Sequence, residues 1–320
     1  MSIIERMADL LGPVVRPVQE DSEPRDKLDV RKLDMIERAL LEGEDPLQLP
    51  QPGIPAAGSD REGLMAGAGS SAAHSRRAAT IRSVNIDLER LRRQNMITPD
   101  AKRTLISEAF RRIKRRVLRN VTEQAPDTRP NLVMVTSSVP GEGKSFCAIN
   151  LALSIALEKD HTAMLVDGDV VRPSLSRVLG VNAPQGLMDV LSGGIGLSQV
   201  LLRTNIEKLI LLPAGTDQEH KTELLASGAM GRLLREMSDQ YRDRIIIFDS
   251  PPLNAASEAS VLSNQMGQVL VVVEAGKTTE RALASALSRI ESKNVVGLVL
   301  NKAEHAALFD GYDGYGYDAT

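Results

Sequence analysis

Residues 132–158 read LVMVTSSVPGEGKSFCAINLALSIALE, and the order of residue types in this stretch decides the fold. The apolar, β-branched run Leu132–Thr136 is followed by a loop carrying Gly141 and Gly143, and then by apolar positions at helical spacing. That is a strand, a glycine-containing turn and a helix, in the order a phosphate-binding loop requires. Glycines let backbone N–H groups close around a phosphate, and the start of the helix adds partial positive charge. Lys144 is placed to reach β- and γ-phosphate oxygens, and the Ser145 hydroxyl suits Mg²⁺. Gly141, Glu142, Gly143, Lys144, Ser145 and Phe146 are therefore the expected nucleotide-binding residues. The pattern usually opens with glycine six positions before the lysine, where this chain has Ser138. Cys147, inside the helix, reads as a small core residue.

Outward from this loop the chain alternates short apolar runs with helical stretches. The runs are Leu132–Thr136, Ala163–Asp167, Leu209–Leu212, Ile245–Asp249, Val269–Glu274 and Val296–Leu300. Near-continuous apolar character marks strands covered on both faces, so the expected fold is α/β, a P-loop NTPase with a mostly parallel sheet and helices on both sides, spanning 126–305. Two of the strands end in carboxylates: LVDGDVVRP carries Asp167, Asp169 and Arg172, and IIIFDSPP carries Asp249 before Pro251 and Pro252. Carboxyl ends of parallel strands share one crevice with the phosphate loop. An acid after a strand commonly caps the next helix, but three such acids beside a lysine loop point to a metal and γ-phosphate site.

The flanks differ in composition. Residues 1–46 have helical spacing, with Ile3, Ile4, Met7, Leu10 and Leu11 on one face of a first helix, and read as a docking or regulatory segment. Residues 47–79 are rich in Pro, Gly, Ala and Ser and read as a linker. Residues 80–125 read as a basic helical arm, with 14 Arg or Lys against 4 Asp or Glu over 76–119 and apolar residues at amphipathic spacing. No aromatic interleaving accompanies the charge, so no nucleic-acid partner is expected. Residues 306–320 end in GYDGYGYDAT and read as a flexible tail. The 320 residues include one cysteine and four histidines, which excludes a disulfide scaffold and offers no His/Cys metal spacing. No window approaches the ~18 apolar residues of a spanning helix, so a soluble, cytoplasmic chain is expected.

Three of the chain's four tyrosines, Tyr312, Tyr315 and Tyr317, fall in the last nine residues. Phenols on a glycine-rich tether have little core to fill and suit a role as phosphoryl acceptors at high effective concentration.

Together, SSVPGEGKS, LVDGDVVRP, IIIFDSPP and the tyrosine tail resemble the motifs of the bacterial tyrosine kinases of exopolysaccharide and capsule biosynthesis, and are most similar to the exosortase-associated autokinases. The resemblance covers roughly residues 80–320. It implies ATP and Mg²⁺ as cofactors, Lys144 and Ser145 on the phosphates and metal, and Asp249 supporting the metal. Asp167 is implied to orient or deprotonate the tyrosine hydroxyl, with Asp169 beside the metal and Asn301 against adenine. SEAFRRIKRR resembles the family's oligomerisation helix, which implies Glu108, Arg111 and Lys114 at a subunit interface in a ring. It further implies activation by the cytoplasmic segment of a separate membrane protein of the chain-length-determinant type, which would hold the chain at the inner membrane. One departure is Val171, where the family carries arginine; the arginine here is Arg172.

Three other readings compete. A partitioning-type ATPase carries a lysine five positions before the loop lysine, where this chain has Val139. A GTPase is suggested by NKAE at 301–304, but Glu304 replaces the guanine-reading aspartate. A non-catalytic nucleotide-dependent scaffold would bind ATP without labelling the tail.

Overall fold

The computed structural model describes residues 82–100, 104–216, 219–290 and 295–303. The N-terminal segment 1–46, the linker 47–79 and the tyrosine tail 306–320 lie outside the described residues. Strand β1 (Arg82–Val84) precedes helices α1 (Leu88–Arg93) and α2 (Leu105–Glu123). The central unit follows as β2 (Leu132–Ser137), α3 (Lys144–Ala156) and β3 (Thr162–Asp167). Short helices α4 (Leu175–Leu179), α5 (Leu187–Leu191) and α6 (Leu197–Val200) lead to β4 (Leu202–Thr204) and β5 (Leu209–Leu212). Then come α7 (Lys221–Leu225), α8 (Gly228–Gln240), β6 (Arg244–Asp249), α9 (Ser257–Ser263), β7 (Gln268–Glu274), α10 (Glu280–Leu287) and β8 (Val295–Asn301).

The strands form one sheet in the order β1-β4-β5-β3-β6-β2-β7-β8. Every pairing is parallel except β4 with β5. β2 sits between β6 and β7. It leads through α3 to β3 on one side, while β6 leads through α9 to β7 on the other, so the crevice at the carboxyl end of β2 is a topological switch point. All six residues of β2 are buried, as a strand covered on both faces requires.

Alternation along the strands divides the core in two. Val133, Val135, Ala163, Leu165, Ile245 and Ile247 pack with α3 on one face, while Met134, Met164, Val166, Ile246 and Phe248 pack on the other with α5, α8 and α9. Asp167 and Asp249 continue the first series, so both carboxylates fall on the α3 side, where the phosphate loop ends.

The stretch expected as a basic arm is built into this domain. β1 adds to the sheet edge beside β4, and α2 lays Phe110 and Val117 into the α3-side core, with Phe110 meeting Phe146 edge-on at 6.2 Å. Its apolar stripe, read in the sequence as amphipathic spacing, is covered chiefly by α3. A corrected reading follows for Lys114. Steps of three residues on a 3.6-residue helix drift about 60° each, so Lys114 stands about 120° round from Glu108. Its side chain is only 7% exposed, donates to the Ser154 carbonyl at 3.2 Å and pairs with Glu158. Glu108 and Arg111 pair at 2.8 Å nearer the outside, and all three side chains line one cavity between α2 and α3. Strands β1 and β4 are unmarked in the sequence because each is three residues with polar members and no alternation to read.

Phe110→Ala removes a ring that is 5% exposed from the seam between α2 and α3. Chemical denaturation should show a loss of about 3 kcal/mol, in the range of buried Phe truncations.

Candidate active site

The loop between β2 and α3 needs two left-handed residues, and glycine supplies both: φ is +92° at Gly141 and +99° at Gly143. A Cβ on Gly143 would also lie 2.1 Å from Asn301 Nδ2. Ser138, in the place where glycine usually opens the pattern, is not among the positive-φ residues, so the backbone tolerates a side chain there.

Glu142 faces inward as a brace. It is 1% exposed, its Oε2 accepts from the Val139 amide at 2.8 Å, and its Oε1 accepts from the Thr278 hydroxyl. Its carbonyl accepts from Asn301 Nδ2 at 2.9 Å. Lys302 Nζ donates to the Gly141 carbonyl at 2.8 Å and pairs with Glu274 at 3.1 Å. The ends of β7 and β8 therefore clamp the loop. Asn301 thus has a role at the loop that the implied adenine contact did not include, one N–H of its amide being engaged there. Glu142 has a shaping role through its side chain.

Behind the loop, Asp167 and Asp249 are in-register partners on adjacent strands, and each is 0% exposed. Asp167 Oδ2 accepts from the Ser174 and Leu175 amides at 3.1 and 3.0 Å, while its Oδ1 is buried without a hydrogen-bond partner. Burial, and then the Asp249 carboxylate, push the Asp167 carboxyl up to about 7. Burial raises Asp249 too, with Lys144 and the Ser145 hydroxyl opposing it. Lys144 Nζ lies 2.7 Å from Asp169 and 3.4 Å from Asp249. Burial works against its charge, but Asp249 and Asp169 outweigh it and hold its pKa above the usual lysine range. Cys147 is buried, its thiol pushed up to about 12 by desolvation and then by Asp249, so it is inert packing.

Over the loop lies a cavity of about 450 Å³. Gly141, Lys144, Ser145 and Asp169 line its polar side, and Val171, Pro251 and Pro252 its apolar side. Phe146 also lines it, next to Phe110. Lys144, Ser145, Asp169, Asp249 and Asp167 thus converge as the spacing predicted. Ser174 was not anticipated: its hydroxyl is 3.0 Å from Ser145 Oγ and 3.5 Å from Asp249 Oδ2. The only signal would have been its place seven residues past Asp167, just before α4. Val171, 44% exposed, stands at the cavity rim. Tyr312, Tyr315 and Tyr317 lie outside the described residues.

A switch-point phosphate loop with lysine and strand-end carboxylates defines the class as a P-loop nucleotide-binding protein. No family model matches the chain. It is 30% identical over 230 residues to the tyrosine-protein kinase YwqD of Bacillus subtilis, covering 71% of this chain and 92% of that one. It is 32% identical over 181 residues to the tyrosine-protein kinase ptk of Acinetobacter johnsonii, covering 56% of this chain but 24% of that one. The crystal structure of the chimerical protein CapA2B2 superposes with a TM-score of 0.57 at 26% identity, covering 69% of this chain and 91% of that one. The chain belongs to the bacterial tyrosine-kinase family and is by class an ATP-dependent protein-tyrosine kinase. It spans nearly all of the Bacillus relative and about a quarter of the Acinetobacter one.

Asn301→Ala should weaken ATP and GTP binding by the same factor, about tenfold, because a loop brace acts on the phosphates common to both. A loss confined to ATP, measured by fluorescence titration, would show that Asn301 acts at the adenine and not through the loop.

Asp167 also sets a stability signature. Its folded-state pKa of about 7 exceeds the 3.8 of an unperturbed carboxyl. Between these values the folded chain holds a proton that the unfolded chain has released, so stability falls as pH rises through that window. Asp167→Asn keeps an acceptor for the two amides and removes the buried charge. Relative to wild type it should gain ~3 kcal/mol between pH 4 and pH 8 in Mg²⁺-free denaturation.

Proposed function

We propose that this chain transfers the γ-phosphoryl group of Mg-ATP to the tyrosines of its own carboxyl-terminal segment, Tyr312, Tyr315 and Tyr317. The observation that carries this reading is the convergence of Lys144, Ser145, Asp169 and Asp249 on one phosphate loop, in a tyrosine-kinase family member with three of four tyrosines in its last nine residues.

The donor set fits magnesium. Ser145, Asp167, Asp169 and Asp249 offer only hard oxygens, and Asp167 Oδ1 is a buried atom without a partner. Among the described residues no three His, Cys, Asp or Glu side chains form a protein-only metal cage. That matches an ion held by one or two protein oxygens, waters and substrate phosphates. Ser145 would hold it, with Asp249 and Asp167 behind through water. Bound there, the metal would neutralise charge building on the β- and γ-phosphates.

The protein's part is mainly positioning. Lys144 trades its carboxylate partners for β- and γ-oxygens, at a site whose burial strengthens each contact. Asp167, titrating near neutrality, is the group we assign to orient the phenol or take its proton. Glu108 and Arg111 remain the residues for contact with a neighbouring subunit in a ring. Phosphates on the tail would repel one another and acidic surfaces, loosening that ring. Among the described residues no helix is long and apolar enough to cross a membrane. We assign attachment at the inner membrane to a separate membrane activator.

Incubation with radiolabelled Mg-ATP and any activator tests the reading. Label should appear on tyrosine in wild type. It should fall roughly 100-fold in Lys144→Met and in the chain with Tyr312, Tyr315 and Tyr317 changed to Phe. Nucleotide binding with no label in the tail would make the chain a scaffold.

A further inference from the structure

Ser174 occupies the N-cap position of α4, where a serine hydroxyl ordinarily accepts from the helix's first free amides. Here it does not: Ser174 makes no side-chain cap hydrogen bond. The Asp167 carboxylate takes that duty, accepting from the Ser174 and Leu175 amides at 3.1 and 3.0 Å. The Ser174 hydroxyl is thereby released, and it donates toward Ser145 Oγ at 3.0 Å, with Asp249 Oδ2 as a second acceptor at 3.5 Å. The cap exchange couples Ser174 to two groups that the sequence places 29 and 75 residues away. Ser174 also lines the cavity over the loop.

We propose that Ser174 is a positioning residue for the metal-nucleotide complex. Its hydroxyl fixes the Ser145 oxygen and, were that oxygen to hold a cation, would turn its proton to Asp249 and leave the Ser145 lone pairs to the ion. A hydroxyl has one proton and two lone pairs, so this switch needs no additional group. Asp249, itself pinned by Lys144 at 3.4 Å, is close enough to accept without backbone movement. Residues that orient a metal ligand in this way typically change metal affinity by about 10–100-fold when removed.

The inference rests on the reading of the loop as a Mg-nucleotide site, and one experiment separates the two. Binding of a fluorescent ATP analogue to the full chain is titrated with EDTA and with Mg²⁺, for wild type, Ser174→Ala and Ser174→Thr. Wild type should bind more tightly with Mg²⁺. Ser174→Ala should keep its affinity in EDTA but lose about tenfold of the magnesium-dependent gain, and Ser174→Thr should recover most of it. Equal magnesium dependence in wild type and Ser174→Ala overturns the role of Ser174 alone. Absence of any magnesium dependence in wild type overturns the site itself, and the inference with it. Equal weakening of Ser174→Ala in EDTA and in Mg²⁺ makes the hydroxyl a fold element and overturns the positioning role.

Discussion

Two carboxylates without exposed surface, side by side on neighbouring strands, set the terms for everything around them. Like charges directly opposite on a sheet are destabilising, and burial multiplies the cost. The molecule offsets it with Lys144 against Asp249 and Asp169, with two backbone amides against Asp167, and with hydroxyls from Ser145 and Ser174. Two of the compensating side chains, Lys144 and Ser145, belong to the phosphate loop itself. The lysine held ready for phosphate is the same lysine that keeps Asp249 tolerable, so the site is poised by its own electrostatics rather than by a separate scaffold.

The phosphate loop has a second support, remote in sequence. Glu142 ties the loop to Val139 and Thr278, while Asn301 and Lys302 hold the carbonyls of Glu142 and Gly141. Fixing the loop before nucleotide arrives lowers the ordering cost at binding. These contacts join β2 to the ends of β7 and β8, so the sheet's own register determines the shape of the anion cradle.

Much of this was legible in the sequence. The six longer strands are apolar runs, five of them largely buried and β8 partly exposed at the sheet edge, and a run of that kind announces itself whatever its partners. Asp167 and Asp249 were found because they end such runs, Asp169 because it follows two residues later, and Lys144 and Ser145 because they close the glycine loop after one. What stayed hidden depended on spatial partners. Ser174 looks like a cap until Asp167 is seen to have taken the cap's place. Lys114 looks like one more interface cation until Ser154 and Glu158 are seen to hold it in a buried place. Asn301 ends a strand like any polar residue, and its clamp on Glu142 spans 159 residues that no local pattern connects.

The position of that clamp has a topological corollary. β8 is the last strand among the described residues, and its final residue touches the phosphate loop at the crevice. The end of β8 and the phosphate loop therefore cannot move independently while Asn301 and Lys302 hold the loop's carbonyls.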